Sequence, residues 1–377
     1  MSEPRHVALA RALVGEPGSR HEIPTPAAIL DLDAFEANLA LMAGRAKAAG
    51  VALRPHAKSH KSAWIAYRQF EADAAGVCCA KLAEAEALEA AGIGSILLTS
   101  PITGTMNAER AAWLAREMPD FRLVVDHPDG VAELAAAETP MQVLIDVDVG
   151  LGRTGVADAH HAADLARAIL RHPRLRLLGV QGYGGHWQHM ADAAARREAV
   201  AQGMARLRDA IEAVRGVGGE VEVVTGGGTG TFQADVELGV LNELQPGSYL
   251  FMDREYREAL DGEPAGDFRQ ALFVATTVIS ANHPKWVTLD AGLKALSTDG
   301  PLPAVATPGF EDAAYGFFGD EHGRLVRPAG RHLRRGDRLD LVPGHIDPTI
   351  DRHDRLWAVR GDVLEAIIPV DARGASQ

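Results

Sequence analysis

SILLTSPITGTMNAERAAWLAREMPDFRLVVDHPDGVAELAAAETPMQVLIDV, residues 95–147, is the stretch whose reading decides the fold. It holds three short apolar runs, SILLTS (95–100), FRLVVD (121–126) and QVLIDV (142–147), with helical connections between them. Short apolar runs bounded by turn residues read as buried strands. Working outward, the alternation continues. ALRPHA (52–57) and GVCCA (76–80) precede it; LLGVQG (177–182), VEVVT (221–225) and SYLFM (248–252) follow. Helical segments are expected at 81–91 and 190–215. Eight strands alternating with helices over about 200 residues is the pattern of a (β/α)8 barrel. A doubly wound open sheet is the rival, because strand number does not prove closure. In either fold the chemistry belongs at the carboxyl ends of the strands.

On the amino-terminal side, AAILDL (27–32) reads as a further strand. Asp33 then caps a helix whose apolar face is Phe35, Leu39 and Met42, and Gly50 ends it. After about residue 256 the pattern changes. LFVATTVISA (272–281), WVTLDA (286–291), DRLDLVP (337–343) and LWAVRGDVLEAIIPV (356–370) are separated by Gly, Pro and charged turns, with no long helix between them. That is a mostly antiparallel β domain. The expected class is therefore α/β: a barrel over residues 33–255, a β domain over 256–377, and an added strand within 1–32.

The 377 residues suit two such domains. A formal charge of −13, from 51 acidic against 38 basic side chains, disfavours a nucleic-acid partner. The two cysteines, Cys78 and Cys79, are neighbours, so no disulfide framework is expected and a reducing cytoplasm fits. The first residues are too polar for a secretory signal, and no apolar run is long enough to span a membrane.

Five segments carry candidate chemistry. In RPHAKSHK (54–61), Lys58 falls just past a strand end. Crowding by Arg54, His56, His60 and Lys61 is expected to lower its pKa and free the amine for a carbonyl. TGGGTGT (225–231) also follows a strand; its glycine amides and hydroxyls suit an anion, and without a Lys-Ser/Thr ending it is not a nucleotide loop. DVDVGLGRTG (146–155) places Arg153 in a glycine-rich loop, where a permanent cation can bind a phenolate or carboxylate oxygen. GYGGHWQH (182–189) presents Tyr183, His186 and His189 after another strand. PGHIDPTID (343–351) carries His345 and Asp347; two apart on a strand they face one way, as an incomplete divalent-metal pair.

Taken together, in this order, these segments with LQPGSYLFMD (244–253) resemble the fold-type III pyridoxal-phosphate enzymes, in the branch of D-threonine aldolase and eukaryotic-type D-serine dehydratase. The resemblance runs from TPAAILDLDAFEANL (25–39) to GHIDPTIDRHD (344–354). It implies an alanine-racemase-like architecture in which the strand at 27–32 joins the β domain, and a homodimer with its active site at the domain junction. It implies Lys58 as the Schiff-base lysine and Arg153 near the cofactor's phenolic oxygen. Tyr183 would face the ring, with Thr225, Gly227, Gly228 and Thr229 on the phosphate and Tyr249 nearby. His189 would be a catalytic histidine. His345 and Asp347 would be metal ligands. Dehydratases of the family resemble HxC at that pair, whereas this chain has HID; a hard oxygen ligand favours Mn²⁺ or Mg²⁺, with Co²⁺ or Zn²⁺ as alternatives.

The activity so implied is reversible cleavage of a small D-β-hydroxy-amino acid, D-threonine first, to glycine and an aldehyde. A 3-hydroxy-D-aspartate aldolase or D-serine dehydratase on the same scaffold is the nearest alternative. A non-catalytic pyridoxal-phosphate carrier lacks the β domain, and a racemase needs a second acid/base that no residue clearly marks.

Overall fold

The strands at the centre of the chain are apolar and buried on both faces, the composition that parallel pairing requires. The computed structural model describes residues 4–262, 264–327 and 330–377. After β1 (Ala27–Asp31) come β2 (Ala52–Leu53), β3 (Val77–Cys79), β4 (Ser95–Leu98), β5 (Asp120–Val125), β6 (Met141–Asp146), β7 (Leu175–Gly182), β8 (Val223–Gly226) and β9 (Glu243–Leu244). The strands β2 to β9 pair in parallel in the order β2-β9-β8-β7-β6-β5-β4-β3. An isolated parallel bridge joins His56 to Cys78, and the Cys78 N–H donates to Pro55 O at 2.8 Å. The last edge thus meets the first, and the sheet is a closed barrel rather than an open one.

Inside the barrel the layers follow from register. Cys78, Leu97, Val124, Leu144 and Leu178 form one apolar cluster. Cys78 lies level with Leu97, and Val124 with Leu144. Two residues further along β6, on the same face, stands Asp146, paired in register with Gln181. An apolar layer is therefore roofed by a polar one at the carboxyl ends.

The second sheet contains β10 (Leu272–Ser280), β11 (Trp286–Leu289), β12 (Ala304–Val305), β13 (Tyr315–Phe317), β14 (Gly323–Val326), β15 (Arg338–Val342), β16 (Arg355–Arg360) and β17 (Val363–Pro369). Its main order is β13-β14-β11-β10-β1-β16-β17, with β15 bonded to β10 and β12. Every pair is antiparallel except β1 with β16. The strand at the amino-terminal side does join the β domain. By packing, one compact unit comprises residues up to Ala40, Ser248–Asp261 and Gly266–Arg373; the other is centred on Leu41–Gly247.

Three details differ from expectation. SYLFM is not a strand: Ser248–Leu250 is a single 3-10 turn and Met252 has φ +52°. The eighth barrel strand is the two-residue Glu243–Leu244, whose short, half-polar sequence leaves no apolar run to read. The first long helix spans Leu32–Ala49, and its cap is Asp31, whose Oδ1 accepts the Ala34 N–H at 3.0 Å; Asp33 is an acid of the first turn. Phe35, Leu39 and Met42 are buried as expected, and Gly50 ends the helix at φ +69°. Among the described residues, no helix is long and apolar enough to cross a membrane.

Candidate functional site

Lys58 sits on a single 3-10 turn, Ala57–Ser59, immediately after the bridge that closes the barrel. His56 shapes that turn. Its Nδ1 accepts the Lys58 N–H at 3.3 Å, and its Nε2 lies 3.1 Å from Thr99 Oγ1. The Thr99 hydroxyl donates to Cys79 O, so Nε2 is the donor and His56 is held as one neutral tautomer. The cationic crowd expected around Lys58 is dispersed by ion pairs. Arg54 is buried with its Nε 3.0 Å from Glu243 Oε2 and its NH2 3.7 Å from Asp120. Lys61 Nζ is 3.6 Å from Glu84 Oε1. Both of these cations are thus paired with carboxylates. The neighbouring Cys78 and Cys79 are free, and burial pushes both thiols up, which makes them inert packing groups.

The polar roof of the barrel is a hydrogen-bond network that carries no recognisable motif. Gln181 Nε2 donates to Asp146 Oδ1 at 2.8 Å and to Thr99 O at 3.0 Å. Gln245 Nε2 donates to Gln181 Oε1 at 3.2 Å and Thr225 Oγ1 at 3.0 Å. Asp146 also accepts the Thr154 hydroxyl at 2.7 Å, yet burial pushes its carboxyl up to about 6. Thr154 and Arg153 share a loop that is fastened at several points. Asp148 Oδ1 accepts the Gly150 and Gly152 amides, both at 2.9 Å, and Asp126 accepts the Gly155 amide at 3.0 Å. Arg153 itself is exposed, its guanidinium 5.5 Å from the ring centroid of Tyr183.

Across the barrel mouth, Thr225 and Thr229 are buried and Gly227 has φ +70°. The Gly228 amide donates to Thr231 Oγ1 at 3.2 Å, so this position contributes shape rather than a donor. His189 follows the turn Gly185–Trp187 and is half-buried; His186 is exposed. Lys58, Arg153, Tyr183, His189 and the glycine loop thus all rise from the carboxyl ends of barrel strands. An amine, an arginine and a Cβ-free cradle at one end of a barrel fit an aldehyde that carries a phenolic oxygen and a phosphate. Tyr249 belongs to the other unit, buried 5.8 Å from the Phe268 ring.

His345 and Asp347 are not on a strand, contrary to expectation. His345 caps the short helix Ile346–Ile350 with φ −138°, and Asp347 lies in its first turn, because Pro348 suits a helix start. His345 Nδ1 is 2.8 Å from Asp299 Oδ2, and Asp253 Oδ2 accepts the Ile346 N–H at 3.0 Å. Burial pushes Asp253 up to about 7, with His345 favouring and Asp347 opposing its charge. Both side chains therefore act electrostatically on one buried carboxyl. Among the described residues, no group of three or more His, Cys, Asp or Glu side chains forms a cage for a metal. One imidazole and one carboxylate is a donor set that fits a divalent ion only with water or substrate completing the shell.

Residues 30–255 match the model of the alanine racemase N-terminal domain, and residues 271–359 match a putative serine dehydratase domain. The chain is 38% identical over 370 residues to a D-threonine aldolase of an Arthrobacter species, covering 96% of each chain. It is 38% identical over 362 residues to a 3-hydroxy-D-aspartate aldolase of Paracoccus denitrificans, covering 94% of this chain and 93% of that one. Among solved structures, a D-threonine aldolase from Filomicrobium marinum superposes with a TM-score of 0.90 at 38% identity, covering 95% of this chain and 98% of the other.

Proposed function

Because the chain belongs to the fold-type III pyridoxal-phosphate enzymes, in the branch of the D-threonine and 3-hydroxy-D-aspartate aldolases, we propose that it is a carbon–carbon lyase cleaving D-threonine and related D-β-hydroxy-amino acids, reversibly, to glycine and an aldehyde. The observation that carries this reading is 38% identity along 96% of a D-threonine aldolase, joined to a lysine and a glycine loop at the same end of the barrel.

Lys58 would hold the cofactor, through its amine. Thr225, Gly227, Gly228 and Thr229 form the phosphate cradle, Gly228 through its missing side chain. Arg153 supplies positive charge to the phenolic oxygen and Tyr183 a face against the ring. Pyridoxal 5'-phosphate, once bound, supplies an electron sink that stabilises a carbanion at Cα. His189 takes the proton of the substrate's β-hydroxyl as general base, which lets the Cα–Cβ bond break and the aldehyde leave. Protonation at Cα then gives glycine. His345 and Asp347 would hold the divalent ion, whose contribution is Lewis-acid polarisation of a hydroxyl. Their nitrogen and oxygen donors favour Mn²⁺ or Mg²⁺ over a thiolate-type zinc site. The same reading makes the protein a cytoplasmic homodimer.

Glycine and acetaldehyde formation from D-threonine, with and without EDTA, tests the proposal directly; efficient cleavage of L-threonine, or none of either isomer, would sink it. The equal identity to the Paracoccus protein keeps 3-hydroxy-D-aspartate as the second substrate to assay. Pyruvate release from D-serine would instead indicate dehydration.

A further inference from the structure

Gln188 is an uncharged residue in a segment noticed for its histidines, and it is 2% exposed. Its side chain reaches out of that segment into the glycine loop. Oε1 accepts the Gly230 N–H at 2.9 Å, and Nε2 donates to Thr231 Oγ1 at 3.1 Å. The Thr231 hydroxyl accepts the Gly228 N–H at 3.2 Å and donates its own hydrogen bond to Asp235 Oδ2 at 2.7 Å. The loop leaves room for nothing larger than hydrogen beside this amide. A Cβ on Gly228 would lie 2.5 Å from Gln188 Oε1, and one on Gly230 would lie 2.1 Å from Gln188 O. Two of the loop's amides are therefore committed to the protein, and its curvature is set before any anion arrives.

The segment is pinned a second time one residue earlier. Trp187 is buried against the backbones of Gly184 and Gly203, where added Cβ atoms would come within 2.1 and 2.2 Å of its ring. Consecutive anchors at 187 and 188, one in the helix packing and one in the loop, leave the backbone of His189 little freedom.

We propose that Gln188 is a positioning residue that holds the glycine loop in its phosphate-binding shape and keeps the adjacent His189 in register with the bound cofactor; this rests on the reading of the barrel mouth as the pyridoxal-phosphate site. Phosphate grip and general base then form one mechanical unit joined by one amide. Asp235 belongs to it as the acceptor that orients the Thr231 hydroxyl.

The test uses cofactor-stripped wild type, Gln188→Met and Thr231→Val, each titrated separately with pyridoxal phosphate and with pyridoxal. D-Threonine kinetics follow at saturating pyridoxal phosphate. Loss of buried hydrogen bonds should weaken pyridoxal phosphate in both variants by roughly tenfold to a hundredfold. Affinity for pyridoxal, which has no phosphate for the loop to hold, should stay within about twofold, since the loop's shape does not enter its binding. In Gln188→Met, kcat should fall with KM little changed. Should Gln188→Met not fold, Thr231→Val, which removes the acceptor of both the Gln188 amide and the Gly228 N–H, carries the comparison of the two aldehydes. Equal weakening of both aldehydes would mark a general scaffold role and overturn the proposal, as would an unchanged Gln188→Met. Wild-type protein that binds neither aldehyde would overturn the cofactor reading beneath it.

Discussion

The place of Lys58 just past a strand end was readable from its neighbours in sequence, whereas its role as the cofactor's lysine is implied by the resemblance. The amides of Gln181, Gln188 and Gln245 were not readable, because a glutamine carries no charge and its worth depends on partners as far as 82 residues away. For Lys58 the expected outcome is definite. Borohydride reduction of the loaded protein should fix the cofactor to the Lys58 peptide in wild type, and Lys58→Ala should show no adduct by mass mapping; an adduct on another lysine would refute the assignment. Asp235 makes a second case. Burial raises its carboxyl from 3.8 to about 7. As pH rises from about 4 toward 7, the unfolded chain loses this proton while the folded one keeps it, so the group's stabilising contribution, complete below about 4, is lost through about 7. Asp235→Asn removes that titration and should flatten the pH dependence of unfolding between about pH 4 and 7, by at most about 4 kcal/mol. Urea melts at the two pH values decide it; parallel curves for variant and wild type would show that burial does not shift this acid.

At the scale of elements, legibility followed apolar length. The six longer barrel strands announced themselves, as did the two-residue β2 within ALRPHA, whereas β9 spends Glu243 on Arg54 and Arg122 and pairs over only two residues on each side. The helix Ala193–Gly216 was legible within a few residues, but the purpose of the glycine inside it was not. Gly→Ala in a helix interior ordinarily stabilises by about 1 kcal/mol. Gly203→Ala should do the reverse, destabilising by about 1–3 kcal/mol, because its Cβ would meet both the Trp187 ring and Val149 O. Displaced Trp187 should carry Gln188 with it, so kcat should fall beyond what the melting temperature explains. A melt equal to or above that of wild type would disprove the packing argument.

For the whole molecule, periodicity gave two domains and their classes, and the motif order gave the family. It could not give the surroundings of His345 and Asp347, because Asp253 and Asp299 come from distant segments of the chain. An open two-ligand site should be separable from folding. EDTA should therefore stop D-threonine cleavage while leaving the far-ultraviolet dichroism and the cofactor's colour intact, and Mn²⁺ or Mg²⁺ should restore turnover. Asp347→Ala should behave like the chelated protein; unfolding on chelation, or full activity of metal-free protein verified by elemental analysis, would contradict this.

The place of β1 has a consequence for how the chain is made. Ala27 pairs with Ala275 and Ile29 with Trp357, so an interior strand of the β sheet leaves the ribosome before the barrel and meets its partners after it. Until then both its edges lack their sheet partners, and loop closure over such separations is slow. The barrel is free to mature during synthesis before the β domain, whose β16 and β17 are made last of these elements. A nascent chain halted before residue 355 holds a hydrophobic strand, AAILD, whose β16 edge has no partner, the kind of segment that recruits chaperones or aggregates.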